Sequence, residues 1–226
     1  KIFDQLINWE IKFNEHGDQN LRHIFNDQMM EANRKFTDFI AKNYLNWINS
    51  TKRPVFSPDI VPRSVLPVLE ENEKVVFIVL DCLRSDLWKS ISKILYPYFR
   101  IQTEYYLSIL PTATPYSRNA IFSGLFPDSI KDKYKDLWLK MSKNETSMNL
   151  FEEKFLKDLL TRSNLDKKSL NYFKIKTFED GQKFEAPLKD YKNLDLIALV
   201  VNFIDMLGHF RSESDVIKEM IPDEAA

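Results

Sequence analysis

An α/β fold is what this chain predicts: a mainly parallel sheet with flanking helices, preceded by an α-helical segment. Three observations carry that prediction. Two largely apolar runs, Val75–Leu80 and Leu194–Phe203, read as strands buried on both faces, as in a parallel sheet. Around them, amphipathic stretches of helical period alternate with β-rich ones. Ahead of them, Asp18 to Ser50 contains neither Gly nor Pro and repeats apolar residues at helical spacing.

Composition narrows the function. The 226 residues suffice for one large domain, or a medium one with an appendage. With 44% hydrophobic and 13% aromatic residues, a substantial core is feasible. A net charge of −1 lacks the basic field of a non-specific nucleic-acid binder, which argues against coating DNA but not against a nucleotide substrate. The single cysteine, Cys82, excludes an internal disulfide framework and a cysteine metal cage, and suits a cytoplasmic protein. No apolar stretch approaches transmembrane length and no signal peptide precedes Lys1, so no membrane role is expected. Lys1 starts inside a helical pattern and Asp223 to Ala226 ends without a breaker, so both ends read as cut.

Taken in order, residues 1–15 form a short amphipathic helix broken by Gly17. Asp18 is a candidate N-cap for a long helix or helical pair, whose apolar face (Leu21, Phe25, Met29, Ala32, Phe36, Phe39) packs within the chain or forms a dimer contact. Pro54, Pro58, Pro62 and Pro67 interrupt any regular helix, leaving at most a short one after Pro58. The expected division is therefore a helical segment at 1–52, a proline-rich linker at 53–72 and an α/β domain at 73–226. Ser85–Leu95 reads as a helix, Arg100–Ile109 as a β-rich run, and Thr114–Ser123 as a helix ended by Gly124. Residues 131–147 read as a charged surface insertion, and Leu150–Thr161 as an amphipathic helix. Tyr172–Phe178, Asp180-Gly181 and Lys183–Glu185 suggest a β-hairpin, since Asp-Gly suits a tight turn. Ser212–Met220 starts another helix.

In such sheets ligands gather at the carboxyl ends of strands. Asp81 follows the first apolar run, Thr112 and Thr114 follow the β-rich run, and Asp205 follows the last run with His209 four residues on. A carboxylate and an imidazole so spaced are plausible ligands of a zinc-like ion, with Gly208 letting the backbone turn close by. Thr114, at a helix N-terminus with Pro115 behind it, is the candidate nucleophile. Arg118 and Asn119, one turn along, could reach phosphate oxygens. Each has a plainer alternative: Asp81 and the threonines as helix caps, Arg118 as a solvated helix residue, His209 as a loop histidine. With four glycines, the chain holds neither GxxxxGK[ST] nor GxGxxG, which excludes the usual nucleotide-binding loops.

The segments VVFIVLDCLRSD, PTATPYSRNAIFSGLFP and NFIDMLGH together resemble the alkaline phosphatase superfamily, and its PglZ-domain branch in particular. INWEIKFNE, MEANRKFTDFI and VIKEM extend the likeness to PorX-type response regulators, in which a receiver domain precedes a helical connector and a PglZ domain. The resemblance implies a zinc-dependent phosphodiesterase with Thr114 as nucleophile. Asp81 and Thr114 would hold one zinc, Asp205 and His209 the other, and Arg118 and Asn119 would bind substrate. It further implies an oligonucleotide-like substrate, a sensor kinase acting through a receiver domain absent here, a homodimer and a link to type IX secretion. The family's site also needs an Asp-His pair and another histidine. His16, His23 and His209 are the only histidines here, and the first two lie in the helical segment. The expectation is thus an inactive fragment with an incomplete zinc site. The contrasting expectation is a non-catalytic signalling module that dimerises and binds a partner protein.

Overall fold

The computed structural model describes residues 2–16, 19–142, 149–202 and 204–205. In chain order the elements are α1 (Ile2–His16), α2 (Gln19–Ile48), α3 (Ile60–Ser64), α4 (Leu66–Glu70), β1 (Val75–Leu80), α5 (Ser85–Leu95), α6 (Thr114–Ser123), α7 (Pro127–Lys133), α8 (Lys135–Ser142), α9 (Glu152–Arg162), β2 (Leu170–Ile175), α10 (Phe178–Glu185) and β3 (Leu196–Val201). They fall into two compact units, residues 1–54 with 83–103 and residues 55–82 with 104–226.

In the first unit α1 lies against α5, where Lys89 Nζ donates to Asn8 Oδ1 at 2.7 Å and Arg84 meets Glu10 at 3.6 Å. Phe13 and Phe25 tie α1 to α2, with ring centroids 5.1 Å apart. The gap in breakers left one helix or two open; α2 is a single helix of 30 residues. Its expected N-cap, Asp18, lies outside the described residues. Phe36 and Phe39, expected on a packed face, are half exposed, so packing within the chain leaves that part of the stripe open.

The second unit is built on a parallel sheet in the order β1-β3-β2. Side chains alternate across a strand, so one face collects Val75, Phe77, Val79, Leu196, Ala198, Val200, Leu170 and Tyr172. Helices cover that face, contributing Val61, Leu69, Phe122, Phe155, Leu156 and Leu159 to one core. Phe122 stands edge-on between Phe77 and Tyr172, 5.8 Å from each. The proline-punctuated stretch is part of this core: Phe56, Val61, Val65 and Leu69 are buried, and α3 and α4 form where at most one short helix was expected. Pro58 and Pro67 each sit in the first turn of a short helix, where a missing amide donor costs nothing.

Four expectations are corrected. β3 is buried on both faces, but β1 is not: Val76 and Ile78 are 58% and 50% exposed on the second face of the sheet. Among the described residues β1 borders only β3, so an apolar run alone did not distinguish the central strand from its neighbour. Arg100–Ile109 forms no strand; Leu107 makes one isolated bridge to Phe56, and only Ile109 among its apolar residues is fully buried. Residues 131–142 are helical rather than a surface insertion, with Leu137 and Met141 joining Ile130 in the core while the charges point outward. The hairpin does not exist. Thr177 Oγ1 accepts from the Asp180 N–H at 3.2 Å and Asp180 Oδ2 accepts from the Thr177 N–H at 3.0 Å, a capping box that starts α10 and carries Gly181 inside the helix. Because β2 and β3 are parallel, a crossover between them is obligatory.

Candidate functional site

The polar residues gather where β1 and β3 end. Asp81 extends the β1 ladder by donating its N–H to Val201 O at 3.0 Å, and Asn202 extends β3 by donating to Ile175 O at 2.8 Å. Parallel strands put both residues at the same edge of the sheet. Asn202 Nδ2 then donates to Asp81 Oδ2 at 3.1 Å. Asp81 does not cap α5, whose N-cap is Arg84.

Helix α6 supplies the next layer. Pro115 occupies its first turn and Gly124 ends it at φ 64°, a left-handed conformation that favours glycine. A Cβ at Gly124 would also sit 3.1 Å from Leu159 Cδ1. The N-cap is Ala113 and no side chain caps the helix, so neither Thr112 nor Thr114 plays the capping role. Thr114 is half-buried, and its hydroxyl makes no hydrogen bond among the described residues. One turn on, Arg118 is only 3% exposed, which overturns the solvated-helix alternative.

Arg118 is committed to two carboxylates. Its Nη1 donates to Asp81 Oδ2 at 2.8 Å, while Nε and Nη2 form a fork on Glu152 at 2.7 Å each. Glu152, the first residue of α9, is completely buried. It also accepts from Tyr172 Oη at 2.7 Å, Lys174 Nζ at 3.1 Å and Asn149 Nδ2 at 3.2 Å. Asn149 Nδ2 further reaches Asn119 Oδ1 at 3.2 Å and the Thr114 carbonyl at 3.4 Å. Asn119 donates back to Pro115 O at 2.6 Å. Burial acts to discharge Arg118, but Glu152 and Asp81 outweigh it and raise its pKa. Burial lowers Lys174, with Glu152 opposing in part. Burial, with Glu152 beside it, raises the Tyr172 phenol.

Asp205 lies beside Cys82, the residue that follows Asp81. Cys82 has φ 57°, unusual for a residue with a side chain. Partial burial, then the Asp205 and Asp81 carboxylates, push its thiol up to about 12. His209 lies outside the described residues. The structure thus links Asp81, Arg118, Asn119 and the Thr114 backbone in one network, and sets Asp205 next to it through Cys82.

For a metal, the donor chemistry fits in part. Asn202 Oδ1 is buried with no hydrogen-bond partner among the described residues, an oxygen acceptor next to the Asp81 carboxylate. The donor number is short: among the described residues no group of three or more His, Cys, Asp or Glu is placed to hold an ion. Asp81 Oδ2 is, moreover, already occupied by Arg118 and Asn202.

Sequence reasoning missed Glu152, Asn149, Tyr172, Lys174 and Asn202. Only Asn202 carried a signal, as the first polar residue after the apolar run of β3. Glu152 looked like an ordinary acidic residue in the first turn of a helix.

No curated protein matches the chain. Residues 1–48 match the PorX response regulator linker domain. Residues 60–226 match the BREX system PglZ alkaline phosphatase-like domain. This match spans well over half of the chain, and the strand-end acid, the helix-start threonine and the parallel sheet sit within it: the chain belongs to the PglZ alkaline phosphatase-like family.

Proposed function

We propose that this α/β unit is the phosphoesterase output domain of a response regulator, cleaving phosphodiesters of an oligonucleotide-like substrate with Thr114 as nucleophile. The observation that carries the reading is the Thr114 hydroxyl at the start of α6, unengaged among the described residues, whose backbone joins the network that holds Asp81. A hydroxyl there meets the positive end of the helix dipole, which favours an alkoxide and an incoming phosphate. Asn119, expected to reach phosphate, is buried, donates to Pro115 O and accepts from Asn149, so its part is to brace the start of α6. Arg118 faces Asp81 and Glu152 instead, so its part is to hold Asp81.

Zinc, in this reading, supplies Lewis acidity in the longer protein. Asp81 and Thr114 would serve one ion, Asp205 and His209 the other. Two protein ligands per ion fall below the usual three or four, so this chain alone should retain zinc weakly. Two tightly bound zinc ions per chain, measured by metal analysis after dialysis, would contradict that.

The test is hydrolysis of bis(4-nitrophenyl) phosphate by the full-length protein. Thr114→Ala should lower kcat by at least about 1,000-fold, and His209→Ala should also lose activity. Wild-type rates in both variants would end the assignment. A second reading, a non-catalytic module that dimerises under control of a sensor kinase, is favoured by the apolar residues Ile24, Met30 and Leu45 left open on α2. It gains if the full-length protein binds no metal and Leu45→Glu abolishes a dimer seen by light scattering.

A further inference from the structure

We infer that Glu152 is a positioning residue that fixes Thr114 and Asp81 relative to one another, an inference that rests on the phosphoesterase reading above. Through the Arg118 fork Glu152 holds Asp81, and through Asn149 it holds the Thr114 carbonyl. Each arm runs through a single intervening side chain. No other described carboxylate is joined in this way to both strand end and helix start.

The geometry sets both arms. The fork spends Nε and Nη2 on Glu152, so the guanidinium plane is fixed and Nη1 is aimed at one oxygen of Asp81. Both hydrogen bonds to Asp81 fall on Oδ2, from Arg118 and Asn202, which sets the rotation of that carboxylate. Tyr172 and Lys174, on the helix-covered face of β2, brace Glu152 from the sheet side. Glu152 therefore connects α6, β1, β2 and α9 at their shared edge.

A purely structural role is the weaker explanation. Taking a carboxylate and a guanidinium out of water is costly, and apolar side chains of similar volume often serve stability as well. What apolar packing does not provide is direction, and both ends of this network are groups whose direction matters for chemistry.

The experiment uses the full-length protein with bis(4-nitrophenyl) phosphate as substrate and Zn2+ alone for calorimetry. Glu152→Gln keeps the shape but turns an amide toward the two donors on Oε1 or the three on Oε2. It should lower kcat about 100-fold with little change in KM, and weaken Zn2+ binding about tenfold. Asn149→Ala loosens only the threonine arm and should lower kcat about tenfold while leaving Zn2+ affinity unchanged. Should Glu152→Gln fail to fold, Glu152→Asp keeps the charge, shortens the reach and carries the same expectation. A folded Glu152 variant with kcat and Zn2+ affinity both within about threefold of wild type overturns the inference. If Thr114→Ala keeps its rate, the phosphoesterase reading fails, and the Zn2+ arm decides the role of Glu152 alone.

Discussion

Helix α9 carries two carboxylates six residues apart that collect the same kinds of donor. Glu152 accepts from Arg118, Tyr172 and Lys174; Asp158 accepts from Arg162, Tyr134 and Lys133. At 3.6 residues per turn they point to different sides of the helix. Glu152 is sealed under the sheet edge, whereas the Asp158 side chain is 31% exposed. The contrast shows that a donor list does not set the energetics. In water's reach, an arginine, a lysine and a tyrosine around an acid are a modest surface network. Under the sheet, each partner becomes compulsory, because the charge it satisfies has no solvent to fall back on.

That contrast can be broken most directly at Glu152. Glu152→Ala leaves the Arg118 guanidinium buried with Asp81 alone, and urea unfolding should show a loss of about 3–5 kcal/mol. A stability within error of wild type would mean that water already reaches the network. The next test compares the two phenols. Tyr172→Phe removes a hydrogen bond to a buried charge and should cost about 1.5–3 kcal/mol, whereas Tyr134→Phe should cost about 1 kcal/mol or less. Equal losses would refute the role given to burial.

The smallest effects concern Asp158 itself. Burial acts to raise its carboxyl, but Tyr134, Arg162 and Lys133 outweigh it and hold the value at about 2. A depressed carboxyl contributes stability above its unfolded value and loses it as pH falls through the folded one. Asp158→Asn should therefore destabilise by at most about 1 kcal/mol at neutral pH, with the difference from wild type closing between about pH 4 and pH 2 in thermal melts. In about 1 M salt that difference should shrink further, while the Glu152→Ala loss stays, since a buried pair is screened far less.

Much of this was legible in advance, for identifiable reasons. β1, α5 and α6 matched their sequence signals to the residue, because an unbroken apolar run, a helical period and a Pro-to-Gly frame are each local features. Asp81 and Thr114 could be named because they sit where such elements end or begin. The failures were of the opposite kind. Thr177 and Asp180 formed a capping box that outweighed Asp180-Gly181 as a turn signal. Leu137 and Met141 were hidden among lysines and aspartates, and only tertiary packing shows which side of a charged helix faces inward. Glu152 was illegible for the same reason: apart from Asn149, its partners lie 20 to 34 residues away, and nothing around it in sequence marks it as buried.

The path of the backbone bears on how the molecule can be dissected. Leu83–Thr103, with α5, belongs with the N-terminal helices, yet it is inserted between Cys82 and Glu104 of the α/β unit. A truncation at Pro54 would strip the helical piece of the segment that lies against α1, and would leave the remainder carrying an orphaned excursion two residues past Asp81. Clean separation calls for a linker spliced in place of residues 83–103, not for a single cut.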